Sequence, residues 1–291
     1  MRGLAALPLG FHYACSGFMA WLLGDVLRYR RDVVMTNLSR SFPGMKYKEL
    51  KSVAKKFYAH LGEVFAEAVW FGGCRNPERL REKELATVVN PEELYEAYRN
   101  RPGVMVMDSH AGNWELLGGF CVYDHAFEEN RPYGVNDVVV VYKPLNNKTW
   151  DEVMRLNRCA PVLRDDFKGY VSSGEVLRHA LSRRDEKKVY VFPNDQYPYK
   201  MAKVKDPVRF MNQDTKAMEA GAALARKMGM AVFYMNMRPV SKGHYEIRYT
   251  KICDDASKMA PHDINQEFYR LLERDLGETP WNYLWSHKRW K

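Results

Sequence analysis

The chain's 291 residues can bury a full core in one domain, and 46% hydrophobic with 28% charged residues is a folded, globular make-up that excludes wholesale disorder. A net charge of +9 attracts anionic partners, but the Lys and Arg are spread along the chain, so charge alone does not choose among nucleic acid, anionic lipid and acidic protein. Five cysteines (Cys15, Cys74, Cys121, Cys159, Cys253) lie far apart with no CxxC pair and no Cys/His zinc spacing, which implies no disulfide framework and predicts reduced, packed thiols in a cytosolic domain.

From Gly3 to Gly24 no residue is formally charged, about the ~20 residues a helix needs to cross a bilayer's hydrocarbon core. Pro8, His12, Ser16 and several glycines make it a mediocre span, so a helix lying in the interface and a buried first helix both compete with it. Arg28, Arg30 and Arg31 follow as a cytoplasmic flank would. Positive charge on the far side of the run argues against a cleaved signal peptide. The 7 Trp and 18 Tyr suit a protein that touches an amphipathic phase.

Residues 28–44 predict a basic helix stopped by Pro43 and Gly44. Residues 46–71 carry a helical period, with Val53, Phe57, Leu61, Val64, Phe65, Ala68 and Val69 on one broad face. Pro77 and Pro91 each open a short helix. After the turn Arg101-Pro102-Gly103, GVMVMDSH (103–110) predicts a strand, residues 114–127 a helix, and VVVVYK (138–143) a strand covered on both faces. Helices are expected at 146–158 and 174–183, a strand at 188–192, and a further apolar stretch at 208–211. Asp214 or Thr215 should cap a helix ending near Met228. Strands at 231–237 and 244–252, the second at an edge, a helix at 263–276 and a Trp-rich tail close the chain. Strands alternating with helices imply an α/β fold with a mixed central sheet flanked by helices. There is no Rossmann fingerprint and no Walker loop, and Gly118-Gly119 does not follow a strand, which disfavours nucleotide binding.

The concentrated polar cluster is Asp108-Ser109-His110-Ala111-Gly112-Asn113-Trp114-Glu115, at the mouth of a predicted strand, where α/β sheets place ligands. On a continuous helix His110 and Glu115 would point roughly 140° apart. They can meet only if Gly112 and Asn113 form a turn between them. A carboxylate on one imidazole nitrogen would then raise the basicity of the other, giving a general base for acyl transfer onto an alcohol. A surface His beside an ordinary helix-start Glu fits the spacing equally. Asp108, His110 and His125 have no recognisable metal spacing, and Ser109 lies in D-S-H rather than a G-x-S-x-G elbow.

H-A-G-N-W-E resembles the H-x4-D/E motif of glycerolipid-type acyltransferases. YRRDVVMTNLSRSFP, VVYKPLNNKTWDEVMRLNR, FPNDQ, VRFMNQDTKAMEAGAALARKMG and the tail WNYLWSHKRWK resemble, in order, the blocks of the late lipid A acyltransferases. The resemblance runs from about residue 28 to the C-terminus. It implies an acyltransferase domain at 28–291 behind an N-terminal membrane-associated helix at 1–27. His110 would be the base and Glu115 its partner, with Arg158 stabilising the reacting carbonyl and Asp195 and Gln196 beside the pocket. Asn113 falls within the same motif, and Lys143 and Arg209 are candidate anion contacts. It implies acyl carrier protein, or acyl-CoA, as donor and a lipid A precursor as acceptor at the cytoplasmic face of a bacterial inner membrane. It implies an anionic membrane surface as partner, but no cofactor, metal or nucleic acid. Lysophospholipid, glycolipid and aminolipid acceptors stay open, as does a non-catalytic membrane adaptor. The loop NDQYPYKMAKVKDP departs from the glycine-rich form common in that group.

Overall fold

The strand that leads to His110 lies at the centre of a seven-stranded mixed sheet. The computed structural model describes residues 2–74, 77–162, 167–198 and 206–290. Its strands are β1 (Ala86–Val88), β2 (Val104–Asp108), β3 (Val138–Tyr142), β4 (Tyr170–Ser172), β5 (Val189–Pro193), β6 (Val208–Phe210), β7 (Gln213–Thr215), β8 (Ala231–Ser241) and β9 (His244–Cys253). The helices are α1 (Arg2–Ala5), α2 (Leu9–Trp21), α3 (Arg31–Ser41), α4 (Tyr47–Phe71), α5 (Pro77–Lys83), α6 (Glu92–Asn100), α7 (Lys148–Arg158), α8 (Val176–Ser182), α9 (Ala220–Met228) and α10 (Pro261–Glu278).

The sheet order is β1-β9-β8-β2-β5-β3-β4, and β6 and β7 form a separate hairpin. β2, β5, β3, β4 and β8 run parallel, β8 and β9 pair antiparallel, and β1 lies parallel to β9. Asp108 stands opposite Pro193, so β2 and β5 end at the same level. Side chains alternate along a strand. Met105 and Met107 therefore join a core with α3, α4, α9, α10 and the tail, while Val104 and Val106 join one with α5 and α6. Both faces are covered, as the β-branched runs demanded.

Several expectations change. β9 lies one strand in from the edge, because the three residues of β1 cover it. Residues 114–127 form no α-helix: Trp114–Gly119 and His125–Asn130 are 3-10 turns. The chain at Gly118 runs so close to α7 that a Cβ there would lie 1.6 Å from the Arg158 carbonyl oxygen. Asp214 and Thr215 cap nothing, since both lie in β7, whose hairpin turns through Met211 and Asn212 at positive φ. α9 instead starts at Ala220 and ends on Gly229 in the left-handed region, as a C-terminal glycine allows.

The uncharged N-terminal run divides into α1, α2 and a π-helical turn at Leu22–Val26, and no helix among the described residues is long and apolar enough to cross a membrane. α2 packs along α4 with His12 and Ser16 buried, while Phe11, Phe18 and Trp21 are exposed.

Candidate active site

A cavity of about 480 Å³ opens where β2, β3 and β5 end. His110, Glu115, Lys143, Arg158 and Gln196 line it, so most of the residues singled out in sequence come together there. Its floor is apolar, with Leu117, Val140, Phe192 and Met218 among the lining. A narrow apolar seam beyond it shares Leu117, Gly118, Val140 and Tyr170 and runs on to Cys121, Cys159 and Val162.

His110 sits on the turn after β2. Its Nδ1 lies 2.7 Å from Asp195 Oδ1, and its Nε2 lies 2.8 Å from the Gln196 side-chain amide nitrogen. Nδ1–H therefore donates to the carboxylate, and Nε2 accepts from Gln196. Burial alone would lower the imidazole's pKa, but the charge and hydrogen bond of Asp195 override it and raise it above 6.5. Asp195 is held below its usual range, because His110's charge and hydrogen bond outweigh the burial that would raise it.

The pairing of His110 with Glu115 is thus replaced by pairing with Asp195, which stands behind the imidazole and outside the cavity lining. Glu115 is turned to Arg158, which grips it with two bonds, Nε to Oε2 at 2.6 Å and Nη2 to Oε1 at 2.7 Å. Trp114 Nε1 donates to Glu115 Oε1 at 3.1 Å, and Arg158 Nη1 donates to the Tyr170 hydroxyl at 3.1 Å. A guanidinium fork matches a carboxylate two-on-two, and that geometry draws Glu115 away from the imidazole.

Asn113 does not face the cavity. Fully buried, it accepts from Glu115 N–H through Oδ1 at 3.1 Å and caps the 3-10 turn. Arg209 is exposed on the β6–β7 hairpin in an ion pair with Asp214, away from the cavity lining. Much of the divergent loop after Gln196, residues 199–205, lies outside the described residues.

The turn is held from several sides. Gly112 has φ +68°, and a Cβ there would lie 2.5 Å from the Met237 carbonyl oxygen, so only glycine fits. Its N–H donates to Asn282 Oδ1 at 2.8 Å, and its carbonyl lies 3.1 Å from Nε2 of buried His60. Burial pushes that imidazole down to about 4, so it is neutral and donates. Leu284 N–H donates to the His110 carbonyl at 3.1 Å.

Asp108 is buried with neither carboxylate oxygen bonded among the described residues. Burial pushes its carboxyl up to about 8 against the pull of His110, so it stays protonated at neutral pH. Among the described residues no group of three or more His, Cys, Asp or Glu side chains is placed to hold a metal ion.

Sequence reasoning missed the role of Asp195, the clamp of Tyr170 and Glu115 on Arg158, and the part of the tail in gripping the turn. A search of curated proteins finds no match to the chain. A family model described as bacterial lipid A biosynthesis acyltransferase matches residues 1–291. The chain belongs to that family and is an acyltransferase enzyme of lipid A synthesis.

Proposed function

We propose that the chain transfers a fatty acyl group from the thioester of acyl carrier protein to a hydroxyl of a lipid A precursor, with His110 as general base. The observation that carries this reading is an imidazole that lines an apolar-floored cavity, with Nδ1–H on a buried carboxylate. The acceptor hydroxyl displaces the Gln196 amide from Nε2 and gives its proton to that nitrogen as its oxygen attacks the thioester carbonyl. The tetrahedral oxyanion collapses, breaking the carbon–sulfur bond, and the departing thiolate takes the proton from the imidazolium. Asp195 holds the imidazole in the correct tautomer and stabilises its charged form.

Arg158 supplies the cation for the oxyanion. One such donor in a water-poor site contributes roughly 3 to 4 kcal/mol to the transition state. Glu115 is then the residue that aims Arg158 rather than the imidazole. The acyl chain lies over Leu117, Val140 and Phe192 towards the apolar seam. The net charge of +9 favours an acidic carrier protein as donor and an anionic membrane surface, against which Phe11, Phe18 and Trp21 of α2 would rest.

Purified protein is incubated with acyl carrier protein bearing a labelled chain, or with acyl-CoA, and with a panel of lipid hydroxyls. Acylated lipid A precursor formed by wild type and absent with His110→Ala is the expected result. Preferential acylation of a lysophospholipid, glycolipid or aminolipid would replace the acceptor, and product from His110→Ala would remove the general base.

A further inference from the structure

The buried face of α4 carries one carboxylate among its apolar residues. Glu67 is 1% exposed and accepts three hydrogen bonds: from the Tyr13 hydroxyl at 2.7 Å, the Tyr245 hydroxyl at 2.8 Å and Asn113 Nδ2 at 2.8 Å. Burial outweighs these donors and pushes its carboxyl up to about 7. The catalytic mechanism above gives this group no task, and a buried carboxylate costs stability that an apolar residue would not.

Its three partners come from three separate elements: Tyr13 from α2, Tyr245 from β9 and Asn113 from the catalytic turn. The Asn113 amide has a carboxylate on its donor side and the Glu115 N–H on its acceptor side, so only one of its two flips is satisfied. That flip starts the 3-10 turn that carries Glu115, and Glu115 in turn grips Arg158 in the cavity wall. At the other end Tyr13 belongs to the helix whose outer side exposes Phe11, Phe18 and Trp21.

We propose that Glu67 is a positioning residue that locks the catalytic turn to the N-terminal helix, fixing Asn113 and through it Glu115 and Arg158. The proposal rests on the acyl-transfer reading for its kinetic consequence, but not for its structural one. Displacing α2, for example at a lipid surface, loosens the turn through Tyr13 and Glu67.

Acyl transfer is measured for wild type, His110→Ala, Tyr13→Phe, Glu67→Ala, Asn113→Asp and the exchanged pair Glu67→Gln with Asn113→Asp. Amide hydrogen exchange of residues 111–118 is followed by mass spectrometry in parallel. Tyr13→Phe should lower kcat roughly fivefold and Glu67→Ala roughly thirtyfold, with donor KM nearly unchanged and exchange of the turn faster. Asn113→Asp alone sets two carboxylates against each other and should lose most activity, whereas the exchanged pair restores the amide–carboxylate bond and should recover part of it, the Tyr245 hydroxyl then accepting from the Gln amide in place of donating.

Wild-type kcat and exchange in folded Glu67→Ala and Tyr13→Phe overturn the proposal. So does an exchanged pair no better than Asn113→Asp, which would leave Glu67 a packing residue only. Should Glu67→Ala fail to fold, Tyr13→Phe and the exchanged pair decide. Activity surviving in His110→Ala overturns the acyl-transfer reading instead, and the exchange data still judge the lock.

Discussion

The turn after β2 and the turn after β5 leave neighbouring strands at one level of the sheet, yet they are built differently. The first carries the imidazole and is gripped by α4, β8 and the tail through Glu67, His60, Met237 and Asn282. The second is anchored chiefly at its root, with a further bond from Tyr197 N–H to His287 Nε2 at 3.3 Å. Asn194 N–H donates to the Asp108 carbonyl at 2.9 Å, its side chain donates to Asn265, and the Tyr269 hydroxyl donates to its carbonyl. Asp195 and Gln196 then reach across to the two nitrogens of His110. The first turn holds the imidazole in place, and the second supplies its two partners, a carboxylate on Nδ1 and an amide on Nε2.

The largest test of that division is His110→Ala, expected to lower kcat roughly 10³-fold or more in the acyl-transfer assay. Asp195→Asn should follow with a loss of roughly 10² to 10³, because the imidazole loses its orienting charge. Glu115→Gln should fall well short of Asp195→Asn in kcat. It weakens a two-bond clamp instead, and thermal unfolding should show a stability loss of about 1–3 kcal/mol. An equal kcat loss for the two, with the pH midpoint moved down in Glu115→Gln as well, would restore Glu115 as the partner of His110.

The pH profile sharpens the comparison next. Only neutral His110 accepts a proton, so kcat/KM should rise with pH through a midpoint above 6.5, and Asp195→Asn should move that midpoint down. Stability follows the opposite sign for the imidazole. Its raised pKa contributes fully below 6.5 and is lost as pH climbs through the raised value. Asp195's depressed pKa contributes above 3.8 and is lost as pH falls through the lowered value. The smallest effect belongs to Asp108→Asn: a carboxyl already neutral below about 8 should be replaced with kcat at pH 6.5 changed only a few-fold.

Long or strongly patterned elements were legible before the structure. The β-branched runs became β3 and β5, and the apolar stripe over 46–71 became α4. β1 and β4 were not, because three residues carry no period and exist only by pairing with β9 and β3. The helix expected at 114–127 failed because tertiary crowding at Gly118 overrode local pattern. In the site, His110 stood out as the imidazole in a polar cluster after a strand, and the family blocks brought in Arg158, Asp195 and Gln196. The partner of the imidazole was not legible from spacing, since Asp195 is distant in the chain while Glu115 lies nearby and satisfies a different cation. Glu67 did leave a signal, an acidic residue set between Val64 and Ala68 on a buried helical face.

The grip of Asn282 and Leu284 on the His110 turn also has a consequence for biosynthesis. His110 leaves the ribosome long before the residues that hold its carbonyl and the Gly112 amide. The nascent chain therefore carries the imidazole for most of its synthesis without the bonds that hold its turn, and these form only when the tail folds back. A chain cut short before residue 282 would hold every cavity-lining residue and still lack the clasp that aligns them.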